Sequence, residues 1–561
     1  MILYLKLRNN ISLEGDIELA KREIEHLFDD ISEVRKTNLA NFSMDLPQQH
    51  ILSFTRDADL IGFIVSNNKC SIERCIHLLS FIQEIWYKYT DVNINNLRFC
   101  RTIGNYICIV PLMAMSEFLF YSTYPSDLMA ESIVDVLIGH ASNKEVKQVI
   151  KRAITSAPHV HSLHTYKAKF FPRFVRSLIV SNLDLNANTV SVCDPYMGSA
   201  TTLVECSLLG LDSTGIDIDP LSCFISQAKV DAMEMNEGSL SYNSFFQHSL
   251  IGEKAQYIFP KSIIRKFERW NTLHEMESYQ QEISKELDLI ESDSIDYKKL
   301  HKIALSDALT RKFNVRMMGT GSGRFALEIA KAPLSSLLSS NMRNSIKAVK
   351  TIEVIKSIYG ISLKRPKVYE GNATRRQYDD DSFDIIVTSP PYLPASSGRE
   401  DYLTGKMISL KALGLASDET FEAIQSNSVG SMDNIHINTT GLPDSVMELY
   451  IWLANDELRS IKATPVLAYY NSIRDSLIED KRTIKENGRI IYIIGKESIF
   501  YKMATKEILY KVECDRMFKE IAETVGLRVV DSIDIELDKK NAVARPRSTD
   551  KYYETAIILS K

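Results

Sequence analysis

The tetrapeptide Ser389-Pro390-Pro391-Tyr392 ends the apolar run Phe383-Asp384-Ile385-Ile386-Val387-Thr388, which is entered through the acidic turn Asp379-Asp380-Asp381-Ser382. A β-branched run of that length, bounded by turn signals, predicts a buried parallel strand. The two prolines cannot donate backbone hydrogen bonds; they fix φ and hold the preceding residue extended. They predict a stiff turn at the strand's carboxyl end, with proline carbonyls free to accept and an aromatic ring beside them. Such a turn suits a planar, amine-bearing base. Ser389 Oγ and the Pro390 carbonyl accept from an exocyclic NH₂, and Tyr392 stacks on the ring, a contact worth ~1–3 kcal/mol per base. Taken alone, the same residues are equally a strand ending in a rigid loop.

A second segment gives the turn a context. Thr189-Val190-Ser191-Val192-Cys193 has the pattern of another short buried strand. The small-residue stretch Asp194-Pro195-Tyr196-Met197-Gly198-Ser199-Ala200-Thr201-Thr202 follows, and then the helix-forming run 203–209. Strand, tight turn and helix together let a ligand approach backbone N–H groups at a helix N-terminus. A further strand, Ser213-Thr214-Gly215-Ile216, ends in Asp217-Ile218-Asp219-Pro220. An acid at the end of the second strand of such a unit accepts from ribose hydroxyls.

These residues resemble the amino-group DNA methyltransferases that use S-adenosylmethionine. Asp194-Pro195-Tyr196-Met197-Gly198-Ser199 is similar to their cofactor loop and Thr388-Ser389-Pro390-Pro391-Tyr392 to their catalytic motif. His164-Thr165-Tyr166-Lys167-Ala168-Lys169-Phe170-Phe171-Pro172 is similar to the aromatic-Pro segment preceding that loop. The resemblance runs from His159 to the C-terminus apart from an insertion. It implies an α/β fold, the Rossmann-like seven-stranded sheet of class I methyltransferases. It implies Phe171, Asp194, Tyr196, Gly198, Ser199, Asp217 and Asn372 as cofactor-binding residues, and Ser389, Pro390, Pro391 and Tyr392 as catalytic ones. DNA is the implied partner, with a flipped base as substrate. Ser389 stands where adenine enzymes more often carry Asp or Asn, which favours cytosine N4 over adenine N6. Restriction-modification or phage defence, with a nuclease or specificity partner, is the implied setting. One departure is Ala200, where the family usually has Gly; Ala tolerates positive φ less well.

Two rival classes are weighed against this reading. Base-amino methyltransferases of tRNA usually show Asp-Pro-Pro-Tyr and a basic RNA-binding domain, whereas this chain has Ser389 and no obvious basic stripe. A non-catalytic DNA-binding subunit would have no need of both Asp217 and an intact Ser-Pro-Pro-Tyr.

The formal net charge of −5 gives no global attraction to nucleic acid, so DNA binding needs a local basic surface. Arg399 and Lys406, just past the catalytic turn, are the candidate phosphate contacts. The clusters Lys364-Arg365-Pro366-Lys367 and Arg375-Arg376 are further candidates, or else ordinary solvated charge. His159, His161 and His164 lack a second ligand cluster, so no metal is expected. The eight cysteines form no Cys-x-x-Cys pair, which suits a reducing cytoplasm; neither a signal-peptide pattern nor a membrane-length apolar run is evident.

Residues 1–140 read as a separate α+β domain of unassigned role, with strands at 2–7 and 60–65 and helices at 16–28 and 72–89. Target recognition, partner binding and a plain structural role are all compatible with it. Residues 141–561 read as the methyltransferase domain. Within it, 232–366 is a mostly helical insertion (268–289, 297–312, 344–359), suited to target recognition. Its cluster Met318-Gly319-Thr320-Gly321-Ser322-Gly323-Arg324 reads as following no strand and lacks Lys-Ser/Thr, so a flexible DNA-facing loop or plain connector is expected there rather than a phosphate loop. Beyond the insertion come a strand at 367–373 ending near Asn372, a helix at 466–485 capped by Asn487-Gly488, and a strand at 489–494. A long helix at 504–525 and a closing strand pair complete the reading.

Overall fold

The computed structural model describes residues 2–8, 11, 13–42, 59–88, 100–121, 158–166, 170–240, 256–317, 325–393, 403–431, 437–502, 505, 507–537 and 552–561. Arg399 and the whole glycine cluster 318–324 lie outside the described residues; contrary to the sequence expectation, a strand, Phe313–Met317, leads directly into that cluster.

The N-terminal part comprises β1 (Leu3–Leu7), α1 (Glu14–Leu27), β2 (Phe28–Arg35), β3 (Leu60–Asn68), α2 (Ile72–Leu78), β4 (Ile82–Lys88), β5 (Cys100–Ile103), β6 (Tyr106–Ile109) and α3 (Leu112–Tyr121). Its strands form one antiparallel sheet in the order β2-β3-β1-β4-β6-β5. The helix expected over 72–89 stops after two turns. Ile82, Ile85, Trp86 and Tyr87 are instead strand residues buried in the sheet, where β-branched and aromatic side chains pack well.

The catalytic part opens with α4 (Pro172–Ser181), β7 (Ser191–Asp194), α5 (Thr201–Leu208), β8 (Asp212–Asp217) and α6 (Pro220–Glu234). Next come α7 (Lys261–Trp270), α8 (Leu273–Glu291), α9 (Ile295–Lys312), the hairpin β9 (Phe313–Met317) and β10 (Phe325–Ile329), and α10 (Leu334–Tyr359). The single helix expected at 268–289 is two helices, because Asn271 takes a left-handed φ of 57° and terminates the first.

The core then resumes with β11 (Lys367–Glu370), β12 (Phe383–Thr388), α11 (Met407–Ala412), α12 (Asp418–Asn427), α13 (Asp444–Ala454), α14 (Ala463–Thr483) and β13 (Ile484–Gly495). The hairpin β14 (Glu497–Tyr501) and β15 (Ile508–Glu513), then α15 (Cys514–Val525), β16 (Arg528–Leu537) and β17 (Tyr552–Ser560), close the chain. Asn487-Gly488 is not a helix cap. The strand begins directly at Ile484, and Gly488 sits where a Cβ would meet Ile484 Cγ1 at 2.6 Å and the Asp384 carbonyl at 2.9 Å. The helix expected at 504–525 begins only at Cys514, because Ile508–Glu513 pairs with Glu497–Tyr501.

Seven strands form the main sheet in the order β11-β8-β7-β12-β13-β17-β16. The first five are parallel, and β17 runs antiparallel between β13 and β16. This is the Rossmann-like sheet of class I methyltransferases. Chain order reverses between β7 and β12, so the carboxyl ends of these adjacent parallel strands open on the crevice where ligands of such sheets bind. One apolar core joins the N-terminal sheet to the near face of the main sheet, through residues such as Leu19, Leu178, Val192, Ile385 and Ile535. A second core holds the insertion helices on α6, and a third packs α13, α14 and α15 on the opposite face. Among the described residues, no helix is long and apolar enough to cross a membrane.

Candidate active site

β7 ends in Asp194, and the chain turns through Tyr196-Met197-Gly198-Ser199 into α5. The turn needs two left-handed residues, Gly198 (φ 50°) and Ala200 (φ 61°). Ala200 thus adopts the conformation for which the family usually supplies Gly. Its methyl is fully buried with Met197 and Leu203, contacts that offset a cost of about 1–2 kcal/mol for a left-handed alanine. Gly215 on β8 lets the loop lie flat, since a Cβ there would meet Met197 Sδ at 2.6 Å and Leu203 Cδ1 at 2.8 Å.

Asp217 ends β8 half-exposed. Its two carboxylate oxygens accept from the Gly198 N–H and the Asp219 N–H, both at 2.9 Å. Burial, reinforced by the neighbouring Asp219 charge, raises its pKa to about 6. Asp219 caps α6, accepting from Leu221 N–H at 3.0 Å and Ser222 Oγ at 2.8 Å. The loop is held from below by Lys229 Nζ, which donates to the Ser199 carbonyl at 2.6 Å, and by Ser226 Oγ, which donates to the Gly198 carbonyl at 3.1 Å. Ser199 Oγ is buried with no partner among the described residues.

The Ser389-Pro390-Pro391-Tyr392 turn sits beside this loop. β12 pairs in parallel with β7 (Ile385 opposite Val192, Ile386 opposite Cys193), which puts Thr388 next to Asp194. Thr388 Oγ1 donates to Asp194 Oδ1 at 2.6 Å, tying the two motifs directly together. Burial raises the Asp194 pKa to about 6, opposed by its hydrogen bonds from threonine hydroxyls and the Tyr196 N–H. Ser389, Pro391 and Tyr392 are half-exposed and Pro390 is buried. The Tyr392 hydroxyl donates to Glu554 Oε1 on β17, which orients the ring. Gly430 (φ 81°) approaches from the other side, where a Cβ would stand 3.3 Å from both Pro391 Cβ and the Tyr392 carbonyl.

Not every expected residue lies where the motifs suggest. Phe171 caps the start of α4 and packs edge-on against Phe174 (centroids 5.3 Å apart), in the core shared with the N-terminal sheet. The aromatic that reaches the loop is Tyr166: a Cβ on Gly198 would meet its Cε1 at 3.3 Å. Asn372 lies just past β11, beside the Asp217 strand. Its Oδ1 accepts from Thr374 N–H and Oγ1, both at 2.9 Å, which leaves the Nδ2 donors for a base edge. Lys406 is not a free phosphate contact. Its ammonium is paired with Asp219 and lies 4.3 Å from the centroid of the Tyr166 ring. Arg376 is also removed from any DNA surface: it is buried in an ion pair with Asp480, whose other oxygen accepts from Tyr492. Arg365 is held by Asp231 and Glu234.

The histidines serve packing. His161 and Arg176 both pair with the buried Glu205, and His164 bonds Ser306 of the insertion at 3.0 Å. No metal-binding cluster occurs among the described residues. Tyr166, Lys229, Gly430 and Glu554 were not singled out from sequence. Only Tyr166 carried a signal, through its place in the aromatic-Pro segment.

The donor set fits S-adenosylmethionine. A half-exposed carboxylate stands at the end of the second strand, a glycine turn lies under an aromatic ring, and a buried serine hydroxyl lacks a partner among the described residues. Asp217, Gly198, Ser199 and Asn372 are the residues that would hold it.

No protein-family model matches the chain. Over 156 residues it is 30% identical to the Type II methyltransferase M.MjaII of Methanocaldococcus jannaschii, covering 25% of this chain and 28% of that one. It is 25% identical over 361 residues to the Type II methyltransferase M.MvaI of Kocuria varians, covering 60% and 77% respectively. It is also 25% identical over 304 residues to the Type II methyltransferase M.BsoBI of Geobacillus stearothermophilus, covering 49% and 57%. The matches thus span less than two thirds of two of these three relatives. A solved SAM-dependent methyltransferase from Methanosarcina mazei aligns over 68% of this chain and 96% of its own at 9% identity, with a TM-score of 0.25, too low to bear on the fold. With its two motifs at the carboxyl ends of adjacent parallel strands, the chain is similar over part of its length to curated Type II methyltransferases.

Proposed function

We propose that this protein transfers a methyl group from S-adenosylmethionine to an exocyclic amino nitrogen of a DNA base, cytosine N4 in preference to adenine N6. The observation that supports this most is the Thr388–Asp194 hydrogen bond, which fixes the Ser-Pro-Pro-Tyr turn against the cofactor loop. When bound, the cofactor supplies a sulfonium methyl already activated for transfer. What remains for the protein is positioning and charge placement.

Ser389 Oγ and the Pro390 carbonyl accept the two N–H bonds of the amine and draw its nitrogen towards tetrahedral geometry, localising a lone pair otherwise delocalised into the ring. Tyr392, its hydroxyl anchored on Glu554, presents its face to the base. The nitrogen gains the methyl carbon as the sulfur–methyl bond breaks to leave a neutral thioether, and the surplus proton on nitrogen passes to solvent. A base inside a duplex cannot reach this turn, so it enters flipped, at a cost of a few kcal/mol. Ser389 stands where adenine enzymes of the resembled class more often carry Asp or Asn, which supports the cytosine choice. Kinship with Type II methyltransferases supports a setting in restriction-modification or phage defence, with a nuclease or specificity subunit as partner. The insertion between β8 and β11 is the candidate target-recognition element.

Transfer of labelled methyl to plasmid DNA tests the proposal. Ser389→Ala is expected to lower kcat on the order of a hundredfold, in the range for removing one hydrogen bond aimed at the reacting group. Cofactor affinity should stay unchanged. A variant as active as wild type would remove Ser389 from the mechanism.

A further inference from the structure

We propose that Lys406 is a positioning residue for the cofactor, its ammonium locking Asp219 and Tyr166 together beside the cofactor loop so that Asp217 is preset to accept from the ribose. The inference rests on the reading of that loop as an S-adenosylmethionine site. It deepens that reading by assigning a residue from outside the cofactor loop, 14 positions beyond Tyr392.

The geometry is specific. Lys406 Nζ pairs with Asp219 Oδ2 at 2.5 Å and donates to Tyr166 Oη at 3.0 Å and to Ser222 Oγ at 3.3 Å. Tyr166 Oη and Ser222 Oγ are themselves 2.9 Å apart. The ammonium is thus shared by three acceptors from two segments, the aromatic-Pro stretch and the start of α6. Side-chain exposure is 14% for Lys406 and 5% for Asp219, so this charge pair is largely desolvated. Breaking such a pair leaves the other charge buried and uncompensated. Tyr166, held from its hydroxyl end, lies against Gly198, and Gly198 N–H donates to Asp217. Lys406 therefore acts on the ribose acid through Tyr166 and through its charge.

The charge has a consequence that packing alone would not have. Asp217 faces Asp219 on its own turn, Glu370 beside it on β11, Tyr166 and Tyr196, Cys223 on α6, and Lys406 as the nearby cation. Burial and Asp219 raise its pKa, while Lys406 opposes them. Removing the ammonium pushes Asp217 further up, and removing the Asp219 charge lets it fall.

Titration calorimetry of S-adenosylmethionine into the full chain between pH 5 and pH 9 tests this, with circular dichroism melting as a check of folding. Lys406→Met is expected to weaken binding about tenfold near pH 7, the equivalent of one charge-assisted hydrogen bond. The loss should shrink towards pH 9, because the acid-side fall-off in affinity moves to higher pH. Asp219→Asn keeps a capping side chain and is expected to move that fall-off to lower pH; it serves alone should Lys406→Met fail to melt cooperatively. Lys406→Arg should keep the wild-type profile. Wild-type fall-off in both Lys406→Met and Asp219→Asn, or in Asp219→Asn alone where it serves alone, overturns the inference while leaving the cofactor reading intact. A wild-type protein that binds no S-adenosylmethionine at any pH overturns both.

Discussion

At the scale of single residues, the site is built on carboxylates held in part by the backbone. Asp194 and Asp217 both accept main-chain N–H groups and both titrate near pH 6, because burial disfavours their ionised forms. An unfolded chain would release these protons near pH 4. Between those values the native state holds protons that the unfolded state has lost. Each group therefore contributes stability at acid pH, up to ~3 kcal/mol, that is lost as pH rises through about 6. Asp194→Asn, which cannot titrate, should be less stable than wild type at pH 4 and close the gap by pH 7; denaturant melts at the two values check this. A gap that widens with pH would contradict it. The chemistry-bearing residues were the most legible part of the sequence, since Ser-Pro-Pro-Tyr and the Asp217 strand end declare themselves by type and spacing. Lys406 was misread as a phosphate contact because its acceptors, Asp219 and Tyr166, lie 187 and 240 positions away in the chain. Glu554 was invisible for the same reason, lying 162 positions from Tyr392.

At the scale of elements, two parallel strands set side by side do most of the positioning. The loop after β7 lies flat only because β8 offers a glycine at position 215. Gly215→Ala would drive a methyl into Met197 and Leu203, an overpacking typically costing about 1–3 kcal/mol. It should lower the melting temperature and weaken S-adenosylmethionine binding together, whereas a change in stability with unaltered affinity would detach the loop's shape from its function. Element type was legible where a run of strong helix or strand formers was long, as in α9 and the closing strands. It failed at 82–88, where only the distant partner β1 selects the extended form, and at 508–513, where a hairpin with β14 overrides the helical pattern. It failed again at Asn487-Gly488, a turn signal absorbed into a strand because Gly488 alone allows the close approach to Asp384.

At the scale of the whole molecule, the N-terminal sheet is not a loosely tethered neighbour. α1 packs against α4 and β16, and its Gly15 sits so close to β16 that a Cβ would meet Ile535 Cα at 2.8 Å and Glu536 N at 2.9 Å. Gly15→Leu should separate the two sheets and destabilise both, giving a lower but still single melting transition by calorimetry. Two separate transitions would instead mean that the parts fold independently. Composition gave no hint of this shared core, since any six-stranded sheet has an apolar face and only its docking shows what covers it. The central claim, amino-group methylation of DNA, is tested most directly by incubating the protein with S-adenosylmethionine and either unmethylated genomic DNA or bulk tRNA, then identifying modified nucleosides by mass spectrometry. N4-methylcytosine in the DNA is the predicted product, and N6-methyladenine would keep the class while overturning the base assigned from Ser389. Methylation confined to tRNA would contradict the account.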